Sequence, residues 1–342
     1  MIVVMRKDST RAQLEGVQKR VESHGLQTHL SEGTERTVVG VMGQTFQDLK
    51  DELEQLQGVL EVVPISKPYK LASREFKPED TVVRVGEAAI GSDEMVVMAG
   101  PCAVENEEQV LSTARAVKAA GAKILRGGAF KPRTSPYSFR GMGVQGLQIL
   151  AKAREETGLP IVTEVMSPED VGMVAQYADI LQIGTRNAQN FNLLDAVGKL
   201  RKPVMVKRSF AASYEEWLLA AEYVLSGGNT QVILCERGIR TFETSTRFTL
   251  DVAAIPMIKS MSHLPIIADP SHSTGKASLV PPLTLSAVAA GAHGIIVDVH
   301  PDPAVAKCDG AQALTFDSFE SLMTQILAVA QAVGKVPAGT TG

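Results

Sequence analysis

Basic residues follow short apolar runs at several places along this chain. Five of them come at or just beyond such a run: Arg126, Lys131, Arg186, Lys207 and Arg237. If the fold brings these cations together, each close pair repels by about 1 kcal/mol even at full water screening, so a stable cluster predicts an anionic ligand. The guanidinium fork matches phosphate and carboxylate oxygens. The pattern therefore predicts a site for a compact dianion that carries a carboxylate.

A second basic cluster lies further along the loop that holds Lys131. Arg133 is followed by the hydroxyls of Thr134 and Ser135, with a proline on either side of the group. Prolines favour a rigid turn, which is compatible with binding because binding loops need rigid turns. One cation beside two hydroxyls predicts a second phosphate site.

Four side chains of metal-ligating type stand far apart in the sequence: Cys102, His272, Asp298 and Asp309. A thiolate, an imidazole and two carboxylates suit a divalent transition metal ion without selecting one. The alternatives are a general-base role for His272 and simple core packing for Cys102. Of the other two cysteines, Cys235 lies within an apolar run and is interpreted as core, and Cys308 is interpreted as an incidental neighbour of Asp309.

These residues can act together only if the fold collects them in one place. Eight short β-branched runs alternate with amphipathic stretches, and this alternation requires a parallel sheet. The predicted strands are Val96 to Ala99, Lys123 to Arg126, Ile161 to Glu164, Ile180 to Ile183, Val204 to Lys207, Val232 to Cys235, Ile266 to Ala268 and Gly294 to Val297. Eight such units over roughly 250 residues match a closed (β/α)₈ TIM barrel, whose loops after the carboxyl ends of the strands converge on one face. An open doubly wound sheet is disfavoured because no glycine-rich dinucleotide turn follows the first strand.

The first 65 residues have a different pattern. Strand, helix, two strands, helix and strand follow in the order βαββαβ, which predicts a ferredoxin-like domain. Residues 66–80 are rich in charge and proline and are predicted to be a linker. The barrel is then expected to occupy residues 81–338.

Composition excludes several classes of partner. A formal net charge of -4 with 21% charged residues gives no general attraction to nucleic acid or to an anionic membrane. The sequence has no run of 18 apolar residues and no signal-peptide pattern at its start, so a cytoplasmic location is expected. An odd count of three widely spaced cysteines argues against a disulfide framework.

Taken together, the motifs resemble those of the 3-deoxy-D-arabino-heptulosonate 7-phosphate (DAHP) synthases nearly from end to end. The segments that carry the resemblance are Ala99 to Cys102, Leu125 to Gly128, Lys131 to Pro136, Gln182 to Gly184, Arg186 with Asn187, Cys235 to Gly238 and Asp269 to Ser273. The resemblance implies a transferase that joins phosphoenolpyruvate to erythrose 4-phosphate in the first step of the shikimate pathway. The leading domain resembles the subgroup with an amino-terminal allosteric domain.

The resemblance also implies roles for the residues above. It places phosphoenolpyruvate among the five cations and Asp269, with Glu164 close by, and the sugar phosphate at Arg133 and Thr134. Lys131, Glu164, His272 and Asp309 are the implied catalytic residues. Cys102, His272, Asp298 and Asp309 are the implied ligands of one divalent ion (Mn, Fe, Co, Zn or Cd), and no organic cofactor is implied. The family usually has glutamate where this chain has Asp298, and aspartate is one methylene, or about 1.5 Å, shorter.

For the leading domain, the resemblance implies feedback binding of tyrosine or phenylalanine, with His29 and Ser31 at effector-binding positions, and a homotetramer. The plain alternative is a module for stability or assembly. Two other functions are considered for the whole chain. The first is the related octulosonate 8-phosphate synthase, whose members usually carry an asparagine-containing segment where this chain has Pro132 to Thr134 and usually lack the leading domain. The second is a sensor of an aromatic amino acid without turnover, which the change to Asp298 would support.

Overall fold

The structure is a computed structural model that describes residues 1–33, 36–43, 46–63, 68–133 and 135–337. The chain divides into two compact units, one formed by Met1–Asp80 with Ser260–His263 and the other by Thr81–Lys259 with Leu264–Gly342. The predicted linker at 66–80 begins outside the described residues, and the predicted domain boundaries stay predictions. Among the described residues, no helix combines the length and apolar character needed to cross a lipid bilayer.

The amino-terminal unit is built around a four-stranded antiparallel sheet. Its elements are β1 (Ile2–Met5), α1 (Arg11–Ser23), β2 (Gln27–Glu32), β3 (Thr37–Met42), α2 (Gln47–Glu54) and β4 (Val59–Val63). The strand order β2-β3-β1-β4 confirms the predicted ferredoxin-like fold. Thr10 begins α1 with a capping box that involves Gln13, and the helix buries Val17 and Val21 in the apolar core of the unit. This helix therefore packs one apolar face on the sheet.

A buried histidine lies in the same unit. The Nε2 atom of His263 is 2.7 Å from the carbonyl oxygen of Leu71. Burial lowers the pKa of His263 to about 4, with a hydrogen bond to Leu71 acting in the opposite direction. Among nearby charges, Lys77 and Arg74 lower the pKa and Asp80 raises it. The imidazole is therefore neutral in the folded protein over most of the pH range.

The second unit is an eight-stranded parallel barrel, as predicted. Its strands are β7 (Glu94–Gly100), β8 (Ile124–Arg126), β9 (Ile161–Val165), β10 (Ile180–Ile183), β11 (Val204–Lys207), β12 (Val232–Glu236), β13 (Ile266–Ala268) and β14 (Gly294–Asp298). Each strand pairs with the next in sequence, and β14 pairs with β7, which closes the ring. A short strand β15 (Val336–Pro337) pairs with the start of β7.

Helices follow the barrel strands. They are α3 (Glu107–Ala119), α4 (Val144–Thr157), α5 (Val171–Tyr177), α6 (Phe191–Gly198), α7 (Tyr214–Ser226), α8 (Ala254–Met261), α9 (Pro270–Thr274), α10 (Val280–Ala289) and α11 (Phe316–Ala332). The strongest start signal is at α7, where Ser213 and Glu216 form a capping box. The Trp217 indole nitrogen then donates to the carbonyl of Val206 on β11 at 3.1 Å, so this helix is fixed against its strand.

The barrel interior is filled by apolar side chains, and a hairpin covers one end of the barrel. A hairpin formed by β5 (Val83–Val85) and β6 (Ala88–Ile90) packs into the same buried cluster as the strand residues. Its glycines Gly86 and Gly91 lie against Pro160 and Pro265, which stand just before β9 and β13. The hairpin therefore covers the amino-terminal end of the barrel, and the carboxyl-terminal end is left for chemistry.

Candidate active site

A cavity of about 280 Å³ lies at the carboxyl-terminal ends of the strands. It is lined by all five cations that the sequence predicts for the anion site, the cage cations Arg126, Lys131, Arg186, Lys207 and Arg237. Arg133 also lines it, and so does Arg247, a basic residue that was not identified from the sequence. Glu164, His272 and Asp309 also line the cavity, as does Ser135. Thr134 lies outside the described residues. Seven basic side chains against two carboxylates give this cavity a strongly positive character.

Two of the cage cations are paired with buried carboxylates beside the cavity. Lys207 forms an ion pair with Asp269, and the Arg126 Nη1 atom is 2.8 Å from the Asp298 Oδ1 atom. Burial opposes ionisation of Asp269, but His272 and Lys207 hold its pKa well below the ordinary value. These two cations, predicted to lack carboxylate partners, are therefore compensated within the protein. The pairs fix both cations in position.

Aromatic rings orient two other cations of the cavity, Arg186 and Arg237. The guanidinium of Arg237 lies 4.3 Å from the ring centre of Phe248 and 5.1 Å from that of Phe210, and Arg186 lies 5.5 Å from Phe210. The Arg237 Nη2 atom donates to the carbonyl of His272 at 2.8 Å. Burial lowers the pKa of Arg237 to about 10, so it remains a cation at neutral pH. Phe210 was not identified from the sequence, because an isolated aromatic residue in a loop carries no pattern.

Glu164 stands among these cations at the end of β9. The Gln182 amide nitrogen, on the adjacent strand β10, lies 3.4 Å from the Glu164 Oε2 atom. Gly184 directly follows β10. A Cβ atom at Gly184 would overlap a Glu164 carboxylate oxygen and would stand 2.7 Å from the carboxyl carbon. Gly184 therefore leaves the space in which this carboxylate lies.

A thiol, an imidazole and a carboxylate meet beside the cavity, as the sequence predicts. The Cys102 Sγ atom is 3.3 Å from the Asp309 Oδ2 atom and 3.7 Å from the His272 Nε2 atom. The last two atoms are 3.6 Å apart. Lys131 donates to the carbonyl and the sulfur of Cys102, at 3.0 and 3.1 Å. Burial lowers the pKa of Lys131, but Cys102 and Cys308 raise it by more, so the Lys131 ammonium stays charged.

His272 is oriented by a carboxylate on its other side. Its Nδ1 atom is 3.1 Å from the Asp269 Oδ1 atom, and its backbone N–H donates to the same oxygen at 2.9 Å. Asp269 thereby caps the short helix α9 and turns the Nε2 atom of His272 toward Cys102. Burial lowers the pKa of His272, but Asp269 and Asp298 raise it by more, to about 9.

Asp298, at the end of β14, has hydrogen-bond donors on both carboxylate oxygens. Besides the pair with Arg126, the Gln312 amide nitrogen donates to the Asp298 Oδ2 atom at 2.6 Å. The same Oδ2 atom is 3.6 Å from the His272 Nε2 atom. The predicted ligand thus lies at the edge of the thiol–imidazole–carboxylate cluster and is held there by its own polar partners.

Asp309 is the one described non-glycine residue with a positive φ, at 52°. Aspartate tolerates this left-handed conformation better than most residues, and such strain concentrates at functional sites. The loop around it is anchored, because the backbone N–H of Lys307 donates to the Glu105 Oε1 atom at 2.8 Å. A side chain at Gly310 would collide with the carbonyl oxygen of Pro303. The loop therefore holds the Asp309 carboxylate firmly beside Cys102.

Cys308 is part of this site, and its interpretation as incidental is wrong. Its sulfur lies 3.6 Å from that of Cys102 and accepts from the Arg133 Nη1 atom at 2.8 Å. Its interaction with Cys102 lowers the pKa of Cys308 to about 7; burial opposes this, and Lys131 adds to the lowering. The same interaction, together with burial, raises the pKa of Cys102. Nothing in the local sequence distinguishes Cys308 from a core cysteine, since the contact depends on the shape of the loop.

Not every charge at a strand end faces the cavity. Arg208 directly follows Lys207, yet its Nη1 atom pairs with Glu236 at 2.9 Å and with Asp251 at 2.8 Å. Glu236 is fully buried, and burial raises its pKa against the opposing effect of Arg208. This buried network holds the ends of β11 and β12 together and does not line the cavity.

The predicted effector residues lie in the amino-terminal unit. His29 and Ser31 are two residues apart on β2, opposite Gly40 and Val38, so both stand on one face of the sheet. The His29 ring is 5.9 Å from the ring of Phe76, and a side chain at Gly40 would occupy the place of that phenyl ring. Both effector residues are half-buried.

Comparison with known proteins agrees with this geometry. The DAHP synthetase I family matches residues 72–333, and the DAHP synthase ferredoxin-like domain matches residues 1–67. The chain is 51% identical to phospho-2-dehydro-3-deoxyheptonate aldolase of Thermotoga maritima, covering 98% of this chain and 99% of that protein. It is 35% identical to 2-dehydro-3-deoxyphosphooctonate aldolase of Desulfatibacillum aliphaticivorans, covering 70% of this chain and 93% of that protein.

Solved structures give the same result. A crystal structure of the Thermotoga maritima DAHP synthase superposes with a TM-score of 0.79 at 50% identity, covering 98% of each chain. A truncated form of 3-deoxy-D-arabino-heptulosonate 7-phosphate synthase from that organism superposes with a TM-score of 0.74 at 49% identity, covering 79% of this chain and 99% of that one. The barrel, its cationic cavity and these relatives define an aldol-type transferase. The chain belongs to the DAHP synthetase I family and carries the ferredoxin-like domain of DAHP synthases at its amino terminus.

Proposed function

We propose that this chain condenses phosphoenolpyruvate with erythrose 4-phosphate and water to give DAHP and phosphate, the first step of the shikimate pathway to aromatic amino acids. The observation that carries the proposal is the cationic cavity immediately beside the cluster of Cys102, His272 and Asp309. One part of the site suits a carboxylate-bearing phosphate ester, and the other suits the activation of a carbonyl group.

In this proposal, phosphoenolpyruvate lies among the five cage cations: Arg126, Lys131, Arg186, Lys207 and Arg237. Asp269 assists by fixing Lys207, and the phenyl rings beneath Arg186 and Arg237 limit how far those guanidinium groups can turn. Arg133 and Thr134 bind the phosphate of the sugar. Substrate phosphates held at two separate points bring the reacting carbon atoms into register, which removes much of the entropic barrier.

The donor set fits a divalent metal ion. Cys102, His272 and Asp309 present a sulfur, a nitrogen and an oxygen atom at mutual distances of 3.3 to 3.7 Å, and His272 has the carboxylate partner on its second nitrogen that is typical of metal-ligating histidines. Asp298 is the fourth proposed ligand. When bound, the ion (Mn, Fe, Co, Zn or Cd) supplies a Lewis acid that polarises the aldehyde of the sugar.

The protein's own side chains supply the remaining chemistry. Lys131 lies between the phosphoenolpyruvate cations and the Cys102 sulfur, so its ammonium can donate to a substrate oxygen at the junction of the two sites. Glu164 is a carboxylate among cations and can accept a proton from the water that adds at C2 of the enol phosphate. Arg186 and Arg237 then stabilise charge on the departing phosphate.

A phosphate-release assay tests the proposal directly. The purified chain is supplied with phosphoenolpyruvate and either erythrose 4-phosphate or a five-carbon sugar phosphate, before and after treatment with a chelator and again after metal is added back. Release with the four-carbon sugar that is lost with chelator and restored by metal is the expected result. Release with the five-carbon sugar alone would instead support octulosonate 8-phosphate synthesis, which the 35% identity to an octulosonate relative makes the second candidate. No release with either sugar would refute both and favour an effector sensor.

We further propose that tyrosine or phenylalanine inhibits the enzyme by binding at His29 and Ser31, in a homotetramer. The support is the ferredoxin-like domain itself and the placement of both side chains on one face of β2. Replacing Ser31 by alanine should weaken inhibition and leave uninhibited turnover unchanged. Thr28→Ala, on the opposite face of the same strand, is the matched control. Equal inhibition of both variants would contradict the assignment.

A further inference from the structure

Cys308 is the one cysteine of the site that the proposed metal chemistry leaves unused. We propose that it is a ligand of the metal ion, so that the centre contains two thiolates, from Cys102 and Cys308, together with His272 and Asp309. The inference rests on the metal site of the proposed function, in which it puts Cys308 in the place of Asp298, and Cys308 then helps to determine which metal is bound.

The distances fit two sulfur ligands on one ion. In a tetrahedral zinc site with Zn–S bonds of about 2.3 Å, two sulfur atoms lie about 3.8 Å apart. The Cys102 and Cys308 sulfur atoms are 3.6 Å apart, and both cysteines form a group with Asp309 in which all ligand atoms lie within 4.8 Å of one another. A thiol–thiol hydrogen bond without a metal would have a similar length, and the experiment below separates the two.

The loop geometry explains how neighbouring residues reach the same atom. The left-handed backbone at Asp309 lets both Cys308 and Asp309 contact Cys102, at 3.6 and 3.3 Å. Cys308 is buried and packs with Cys102 and Ala103. Its contact with Arg133 is compatible with ligation, because a metal-bound thiolate still accepts hydrogen bonds from outer partners.

Asp298 provides the reason why this chain needs another ligand. Its two carboxylate oxygens already accept from Arg126 and Gln312, at 2.8 and 2.6 Å. Moving the carboxylate fully onto the ion would cost the charged hydrogen bond to Arg126, whose Nε atom already has no partner among the described residues. An Asp298 carboxylate oxygen lies within 4.8 Å of the ligand atoms of Cys102 and His272, but the two hydrogen-bond donors hold the carboxylate where it is. Cys308, on the loop that follows β14, is therefore the fourth ligand in place of Asp298.

Two thiolates make the centre softer. Thiolates favour zinc, cadmium and iron over manganese, which prefers oxygen ligands. We therefore expect this chain to select Zn²⁺ or Cd²⁺ over Mn²⁺ more strongly than a centre with a single cysteine would.

X-ray absorption spectroscopy of the full-length protein loaded with Zn²⁺, kept reduced by a phosphine, tests the inference. The expected result is two sulfur neighbours per zinc at about 2.3 Å in the unmodified chain and one in Cys308→Ser. Cys102→Ser should also show one. Cys235→Ser is the matched control, because Cys235 is buried in the barrel interior on β12 and should leave the count at two. The zinc-to-manganese affinity ratio should fall in Cys308→Ser by more than the roughly 10-fold to 100-fold that loss of an outer partner costs.

One sulfur in the unmodified chain, with an identical spectrum for Cys308→Ser, would overturn the inference and leave a simple thiol hydrogen bond. Failure to bind zinc at all would overturn it too. The proposed function is judged separately by phosphate release. Two sulfur neighbours without turnover would refute that function alone, and turnover with a single sulfur neighbour would refute the Cys308 inference alone.

Discussion

Gly184→Ala is a one-carbon change that tests how the anion site is built. Gly184 has φ -68° and ψ 159°, a conformation that alanine adopts without strain, so any effect must come from lack of space. The added Cβ would overlap a carboxylate oxygen of Glu164 and stand 2.7 Å from its carboxyl carbon, whereas ordinary contacts begin at 3.4 Å. Glu164 must therefore move, because the backbone of Gly184 directly follows the barrel strand β10 and is held by it.

The cost follows from that displacement. Accommodating one extra methyl group in a packed site costs about 1–3 kcal/mol. If the strain is relieved by shifting Glu164 about 1 Å, misplacement of a catalytic group by this distance lowers kcat/KM by roughly 100-fold. We expect a loss of that size in phosphate release, while the thermal midpoint changes by only a few degrees.

Two controls separate this cause from general damage. Gly172→Ala places a methyl group in open space on the exposed side of α5 and should leave turnover unchanged while stabilising the helix by about 0.5–1 kcal/mol. In a Glu164→Ala background the clash disappears, so adding Gly184→Ala should cost almost nothing further. A Gly184→Ala enzyme with normal kcat/KM, or a full additional loss in the double variant, would refute the reasoning.

Three further perturbations probe other parts of the molecule. Lys131→Met should lower kcat/KM for phosphate release by about 100-fold to 1000-fold. Lys131→Arg should not restore it, because the planar guanidinium fork cannot replace the point charge of the ammonium. Normal kinetics in either variant would exclude Lys131 from the site. Arg208→Ala leaves Glu236 buried and unpaired, so urea titration should show the barrel destabilised by about 3–5 kcal/mol. Arg115→Ala, which breaks an exposed ion pair, is the control and should leave the unfolding midpoint unchanged. Equal midpoints for the two variants would argue against the buried network. His263, with its pKa lowered to about 4, takes up a proton when the protein unfolds below pH 6.5. The free energy of unfolding should therefore fall by about 2 kcal/mol between pH 7.5 and pH 5 and continue to fall until about pH 4. His263→Gln should lose this share of the pH dependence, and parallel stability curves for the two proteins would contradict it.

The barrel could be predicted because its strands are continuous apolar runs that are buried on both faces. Ile180–Ile183, Val204–Lys207 and Ile266–Ala268 begin and end in the structure at the predicted residues. Barrel geometry sends every strand end to one face, so the cations that follow the strands could be predicted to lie near one another, although Arg208 shows that not every one of them lines the cavity. The roles of those cations rest on the family resemblance and stay proposals.

The loops could not be predicted in the same way, because their contacts depend on irregular backbone. Cys308 reaches Cys102 only through the left-handed residue that follows it, and Arg247 reaches the cavity from a loop with no periodic signal. The ion pairs of the cage cations could not be predicted for a similar reason. Lys207 and Arg126 have buried carboxylate partners that are 62 and 172 positions away in the sequence, and no local pattern links such pairs.

The closure of β14 onto β7 determines when in the life of the chain the proposed metal centre could form. Cys102 follows the first barrel strand, whereas His272 and Asp309 follow the seventh and eighth. The donor residues are therefore adjacent in space but separated in sequence by almost the whole barrel. During synthesis, Cys102 leaves the ribosome long before its partners have been made. A metal ion held by all of these donors would therefore stabilise the closed ring and no shorter piece of it, and its release would loosen the contact between the first and last strands.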